Sequence, residues 1–183
     1  MKPAKKLACW VAMKNKGLLI RRTKKPYFEH LAAVAALAKP AVTLGYEIGL
    51  CHDLFEETET TANELLEVLF TFGYTAQEAN LITSCVIELT DVFTAAAYPG
   101  LSKKIRKKRE SSRLLTISPT AQTVKYADLI YNIDWMLKHD HKHAQKYLLK
   151  KQLLVAEMKD GSEKLRKKAL KAIHHGLHIM KNH

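Results

Sequence analysis

The chain has 183 residues, with 30 Lys and Arg against 18 Asp and Glu and a formal net charge of +12. That length suits one compact domain over 1–183 with a substantial core and requires no second one. The three cysteines, Cys9, Cys51 and Cys85, are odd in number, lack metal-finger spacing and stand in apolar contexts. That excludes a disulfide framework and predicts reduced core thiols and a cytoplasmic location.

Apolar residues recur at three- and four-residue spacing and no alternating run is convincing, so the chain is predicted to be all-α. The lysine-rich start leads into a first helix near 5–15. Its apolar stretch, Leu7 to Met13, is too short for a membrane span and is followed by no small-residue cleavage site, so neither a membrane partner nor secretion is expected. Helices follow near 26–38 and 41–54. Thr61 with Glu64 and Thr75 with Glu78 have the spacing of capping boxes, and Gly73 ends the helix between them, giving helices 61–72 and 75–89. The segment 91–101, with Tyr98-Pro99-Gly100, is the one long connection and is expected to be mobile. A basic helix near 102–115 comes next. Ser118-Pro119 then supplies an N-cap and a first-turn proline for a helix over 119–138. Helices near 140–158 and 161–177 complete the chain.

Charge is segregated along this order. Residues 1–50 hold ten Lys and Arg against two acids, residues 51–100 hold nine acids and no Lys or Arg, and residues 101–183 hold twenty bases against seven acids. Basic segments on both sides of an acidic middle suit a polyanionic substrate. A general nucleic-acid affinity is the other use of such a charge, but no recognition motif or stripe of aromatics interleaved with bases accompanies it, so nucleic acid is not the expected partner. Oligomeric state is not legible.

Within the acidic middle, His52 and Asp53 stand among Leu50, Cys51, Leu54 and Phe55. Burying an imidazole and a carboxylate there is costly unless each is paired or holds a cation, and a divalent metal satisfies both. His30, at the start of an Ala-rich apolar helix, and Asp128, in the apolar run Ala127-Asp128-Leu129-Ile130, are the odd residues in their own surroundings. Two imidazoles and two carboxylates form a mixed N/O set suited to Mn²⁺, Fe²⁺, Mg²⁺ or Zn²⁺ with coordination positions left over, which points to catalysis rather than a structural staple. On a helix continuing past Asp53, His52 and Glu56, and likewise Asp53 and Glu57, share a face, which places two further carboxylates next to the metal. A second His-Asp pair, His139-Asp140, lies in Lys-rich, polar surroundings and reads as solvated surface. The pairs among His139, His141, His143, His174, His175 and His178 have no carboxylate-rich apolar pocket around them.

A His, a later His-Asp pair and a distant Asp on helices resemble the HD-domain metal-dependent phosphohydrolases, and the flanking residues resemble one branch, the hydrolase domains of RelA/SpoT-type alarmone enzymes. Arg21-Arg22 followed by Pro26-Tyr27-Phe28-Glu29-His30 resembles that branch's basic pair, Pro-Tyr and first metal His. His52-Asp53-Leu54-Phe55-Glu56-Glu57-Thr58 resembles its His-Asp, two apolar residues and Glu-Asp-Thr. Val124-Lys125-Tyr126-Ala127-Asp128 with Asn132 resembles its last ligand helix. The resemblance covers about residues 5–136, with 137–183 expected as C-terminal helices packed on it. The large members add a synthetase domain for which 183 residues leave no room, so the likeness is to the small stand-alone hydrolases.

The resemblance implies a compact HD helical bundle, a metal ion held by His30, His52, Asp53 and Asp128 with Mn²⁺ foremost, and Glu56 and Glu57 orienting or deprotonating water. It implies a nucleotide substrate, (p)ppGpp or a relative losing its 3′-diphosphate, held by Arg21, Arg22 and Asn132. From the basic helix, Lys103, Arg106 and Arg109 are candidates to grip the diphosphate. Three positions depart from the branch: Glu57 replaces an Asp, Leu129 replaces an Arg, and Trp135 replaces a small residue in the purine pocket. An HD nucleotidase acting on other nucleotides, or an idle nucleotide- or nucleic-acid-binding scaffold, would share many of these features; possession of all four ligands favours the enzyme.

Overall fold

The computed structural model describes residues 1–181, among which ten helices are found and the only β-type pairing is an isolated antiparallel bridge between Leu19 and Pro26. The helices are α1 (Pro3–Lys14), α2 (Phe28–Ala38), α3 (Gly45–Cys51), α4 (Leu54–Glu57), α5 (Ala62–Phe72), α6 (Ala76–Leu89), α7 (Lys103–Leu114), α8 (Pro119–His139), α9 (His141–Glu157) and α10 (Glu163–Lys181). None is long and apolar enough to cross a membrane.

The core is organised around α8, whose residues from Ala121 to Leu129 are almost all buried and which touches α2, α3, α6, α9 and α10. The expected C-terminal pair, α9 and α10, packs on α8 and on itself. Tyr126 fastens the end of α9 by donating its hydroxyl hydrogen to the Met158 carbonyl at 2.9 Å.

The closest helix pairing is α2 with α3, and its cause is legible in composition. Gly45 and Gly49 are one turn apart on α3, facing Ala35 and Ala38 of α2. A Cβ on Gly49 would meet the Ala35 Cα at 2.6 Å, and one on Gly45 would meet the Ala38 carbonyl carbon at 2.8 Å. Each glycine costs a helix about 0.5–1 kcal/mol relative to alanine. Here that cost brings two backbones into contact, and with them the residues that follow on each chain segment.

Several expected boundaries move. The 26–38 helix begins at Phe28, because residues 18–27 double back, with Ile20 N–H bonded to the Lys25 carbonyl and Tyr27 N–H to the Leu18 carbonyl, each at 2.9 Å. The 41–54 helix is two helices: a turn through Leu44, at φ 57°, precedes Gly45, and the ladder breaks at His52 and Asp53. Thr75 and Glu78 form a complete capping box, whereas Thr61 only accepts from Glu64 N–H. Among the cysteines, all free, Cys51 and Cys85 are buried but Cys9 is exposed, on the outer face of α1.

Candidate metal centre

Four side chains from three directions converge where α2, the α3–α4 break and α8 meet. His30 comes from the first turn of α2, His52 and Asp53 from the break, and Asp128 from mid-α8. The Nε2 atoms of His30 and His52 are 3.2 Å apart. Asp53 Oδ2 lies 3.2 Å from the former and 3.1 Å from the latter. Asp128 Oδ1 lies 3.6 and 3.7 Å from the same two nitrogens. His30, His52 and Asp128 are buried; Asp53 is partly so.

The helix break explains how neighbours share the site. On an unbroken helix His52 and Asp53 would point about a quarter-turn apart. At the break Asp53 has φ −106° and ψ 8°, outside helical geometry. It occupies the N-cap position of α4, where a carboxylate ordinarily accepts from its own helix, yet its side chain makes no capping bond and turns to the imidazoles instead.

A second ring of groups fixes three of the four, while the buried Nδ1 of His30 has no hydrogen-bond partner. His52 Nδ1 is 2.8 Å from the Gly49 carbonyl. A carbonyl only accepts, so Nδ1 carries the hydrogen and Nε2 faces the site, the arrangement that orients ligand imidazoles. Tyr27 donates to Asp53 Oδ2 at 2.6 Å. Lys125 Nζ lies 2.9 Å from Asp128 Oδ2, and Asn132 donates to Asp128 Oδ1 at 2.5 Å. Burial and the Asp53 charge push the Tyr27 phenol far up, so it stays a donor. Burial works against ionisation of His52, but Asp53 and Asp128 push it up to about 10. Asp53 and Asp128 are likewise opposed by burial, yet are held well below the usual carboxylate range, Asp53 chiefly by His52 and Asp128 chiefly by Lys125.

Glu56 and Glu57 stand at the rim, exposed. Glu56 does not follow His52 around a continuous helix; its Oε1 accepts from Asp91 N–H at 2.8 Å, bracing the connection after α6. Crowding at the carboxyl end, though the residue reaches solvent, pushes Glu56 up to about 7, with the charges of Asp91 and Asp53 adding to the shift. Glu57 is raised too, by desolvation and then by Asp53.

That connection is held rather than loose. Glu110, buried on α7, accepts from Val92 N–H at 3.1 Å and Phe93 N–H at 3.0 Å, and pairs with Arg113. Arg113 also donates to the Glu88 and Thr90 carbonyls. Arg106 donates to the Leu101 carbonyl, so this candidate phosphate ligand clips the loop. Lys103 is exposed, and Arg109 is exposed with its guanidinium 5.8 Å from the Phe93 ring centroid.

Arg21 and Arg22 differ in their engagements. Arg21 is exposed. Arg22, at φ 60°, donates to the His139 carbonyl at 2.8 Å and pairs with Asp140 at 2.8 Å. Asp140 is therefore not simply solvated: its side chain is 12% exposed and it also meets His143 Nδ1 at 2.7 Å. Trp135 lies one turn before, its ring 5.6 Å from that of His139 and its buried Nε1 without a hydrogen-bond partner. Among the described residues no hydrogen bond or ring contact ties Trp135 to the four ligand candidates. Tyr27, Lys125 and Asp91 are the groups that the sequence reading did not single out. Tyr27 and Lys125 stand one turn from His30 and Asp128 in sequence, the one signal that points to them.

The donor set fits a divalent cation. Ligand atoms of His30, His52 and Asp53 all lie within 4.8 Å of one another, and two ring nitrogens face each other with carboxylate oxygens around the same point. Without a cation one imidazolium must supply the charge; a metal supplies it to all four at once.

No family model and no curated protein matches the sequence. Among solved structures, the chain is similar to a metazoan ortholog of SpoT that hydrolyzes ppGpp and plays a role in starvation responses, with a TM-score of 0.75 over 97% of each chain at 19% identity. The chain shares the all-α fold of that structure. In this fold the quartet belongs to α2, the α3–α4 break and α8, and Glu56 and Glu110 brace the connection after α6.

Proposed function

We propose that the protein is a divalent-metal-dependent pyrophosphohydrolase that removes the 3′-diphosphate from (p)ppGpp or a closely related alarmone. The observation that carries the reading is the convergence of His30, His52, Asp53 and Asp128, with the two Nε2 atoms 3.2 Å apart, on a fold shared with a ppGpp hydrolase.

His30, His52, Asp53 and Asp128 would hold the cation, Mn²⁺ foremost. When bound, such an ion lowers the pKa of water and polarises phosphoryl oxygens. Tyr27 and Lys125 keep the two carboxylates aimed inward, and the Gly49 carbonyl keeps His52 in the required tautomer. Glu56, raised to about 7, is suited to accept a proton from water near neutral pH. Glu57 supports it across the rim. Water adds to the phosphorus attached to the ribose 3′-oxygen, that P–O bond breaks, the oxygen takes up a proton, and pyrophosphate leaves with a nucleoside 5′-diphosphate or 5′-triphosphate as the other product. Arg21, Asn132 and the exposed bases of α7 remain available to the nucleotide. Asn132 is engaged by Asp128, which gives it a positioning role as well.

The test is incubation of the full chain with Mn²⁺ and a panel of guanine and adenine 3′-diphosphate nucleotides, 5′-triphosphates and monophosphates, with products separated by ion exchange. Pyrophosphate released from the 3′-diphosphates in preference to the rest supports the reading. Equal turnover across the panel assigns a general HD nucleotidase, and no turnover with intact metal binding assigns a nucleotide-binding scaffold.

A further inference from the structure

The four ligand candidates are not held alike. The Gly49 carbonyl, 2.8 Å from Nδ1, sets the tautomer and ring plane of His52, and hydrogen bonds from Tyr27, Lys125 and Asn132 aim the two carboxylates. His30 is buried, and its Nδ1 has no hydrogen-bond partner among the described residues. For Nε2 to offer a lone pair to a cation, the ring hydrogen has to sit on that Nδ1. A ligand imidazole ordinarily donates this hydrogen to an acceptor that fixes its orientation, and His30 has none among the described residues.

Rings surround it instead. The His30 centroid lies 4.5 Å from that of Tyr131 at an interplanar angle of 59°, 5.0 Å from that of His52 at 64°, and 5.4 Å from that of Tyr27 at 58°. Strongly tilted pairs with centroids about 4.5–7 Å apart are a favoured geometry, because the positive edge of one ring meets the negative face of the other. Two of these neighbours have a second engagement: His52 is itself a ligand candidate, and Tyr27 donates its hydroxyl to Asp53 at 2.6 Å. Tyr131 differs. It stands half-buried on α8, one turn after Asp128, and its hydroxyl makes no hydrogen bond to a described residue. What it brings to the centre is the ring alone, carried on the same helix as Asp128.

We propose that Tyr131 is a positioning residue for His30. Its ring packs on the imidazole and keeps Nε2 aimed at Asp53 Oδ2 and Asp128 Oδ1, 3.2 and 3.6 Å away, the task that hydrogen bonds perform for the other three candidates. This rests on the metal reading of the quartet, and it makes a chemical distinction: a phenyl ring at 131 serves as well as a phenol, and an aliphatic side chain of similar reach does not.

The experiment titrates Mn²⁺ calorimetrically into the metal-free full chain and records the imidazole nitrogen resonances of histidine-labelled, metal-free protein, with the His30 and His52 signals assigned by their loss in His30→Gln and His52→Gln. Tyr131→Leu weakens Mn²⁺ binding about tenfold, the lower end of what loss of an outer-ring partner costs, and shifts the His30 nitrogens while leaving those of His52 in place. Tyr131→Phe keeps both the affinity and the His30 signals of the wild type. Wild-type Mn²⁺ affinity in Tyr131→Leu overturns the proposal. An equal loss in Tyr131→Phe overturns it too, by assigning the effect to the hydroxyl, and equal shifts of His30 and His52 overturn it by showing a general loosening of the fold. If the wild type binds no Mn²⁺, the metal reading falls, and the His30 resonances alone decide whether Tyr131 orients the ring.

Discussion

The chain contains two His-Asp pairs, and they have opposite surroundings. His52-Asp53 sits at a helix break, faces His30 and Asp128, and is closed in by Tyr27 and the Gly49 carbonyl. His139-Asp140 sits at the α8–α9 turn, where Asp140 meets Arg22 and His143. The dipeptide is the same; the difference is what the fold brings opposite it. At the first pair the Gly45 and Gly49 contact with α2 drives donor groups together, so charges of like role crowd one another. At the second, Asp140 is shared between the Arg22 guanidinium and His143 Nδ1. Among the described residues, the first gathers His and Asp donors closely enough that they could hold a metal ion, and the second does not.

Removing one acid from each region separates their roles. Asp128→Ala is expected to abolish Mn²⁺ binding and measurable phosphohydrolase turnover, because the remaining set loses the carboxylate that opposes both imidazoles. Asp140→Ala is expected to leave both intact. Metal content after dialysis, with turnover on the same samples, decides it; equal losses from the two variants would erase the distinction.

The first region was largely legible because its residues are chemically odd in place: a His, an Asp and a His-Asp pair inside apolar runs ask for partners. Helix ends with side-chain signals were equally legible, as at Thr75 with Glu78, Gly73, and Ser118-Pro119. The break at His52-Asp53 was not. It carries no Pro or Gly, and its one cap-type residue, Asp53, turns its carboxylate to the imidazoles rather than to α4. Tyr27 and Lys125 look like an ordinary aromatic and a surface lysine until the fold sets their tips on Asp53 and Asp128. Arg106 and Glu110 look like parts of a solvated basic helix, yet they hold the connection after α6, because backbone N–H and C=O groups there need partners that local sequence does not reveal. Cys9 differs for the converse reason: apolar neighbours in sequence fall on several faces of α1, where Leu7 and Val11 are buried and Cys9 is exposed.

Below loss of the metal come changes that keep it. Glu56→Gln retains the hydrogen bond from Asp91 N–H but cannot take a proton, so turnover should fall about 10²–10⁴-fold with Mn²⁺ stoichiometry unchanged. Near-full activity would move proton handling to Glu57. Tyr27→Phe deletes the donor to Asp53 without altering shape, and outer-ring losses of this kind typically weaken metal affinity about 10–100-fold. Calorimetric titration of Mn²⁺ into the metal-free variant measures it; wild-type affinity would mean that the break alone aims Asp53. Gly49→Ala presses a methyl group on the Ala35 backbone and should cost about 1–3 kcal/mol in denaturant melts.

The smallest effects separate the two regions by the sign of their response to pH. Glu56 has a folded pKa near 7, above its ordinary 4.5. At low pH it is protonated in both folded and unfolded chains and contributes nothing. Between 4.5 and about 7 the unfolded chain ionises first, so the native state loses stability relative to one without the group, and above 7 the loss is constant. Asp140 is depressed below its ordinary 3.8, by the His143 hydrogen bond first and Arg22 after it, so it contributes stability above 3.8 that vanishes as pH falls through its lower folded value. In metal-free protein, Glu56→Gln should therefore melt above the wild type at pH 8 and level with it at pH 4. Asp140→Asn should melt below the wild type at pH 7, with the gap closing toward pH 2. Parallel curves for both variants at every pH would show that neither carboxyl feels its surroundings in the way the two His-Asp regions require.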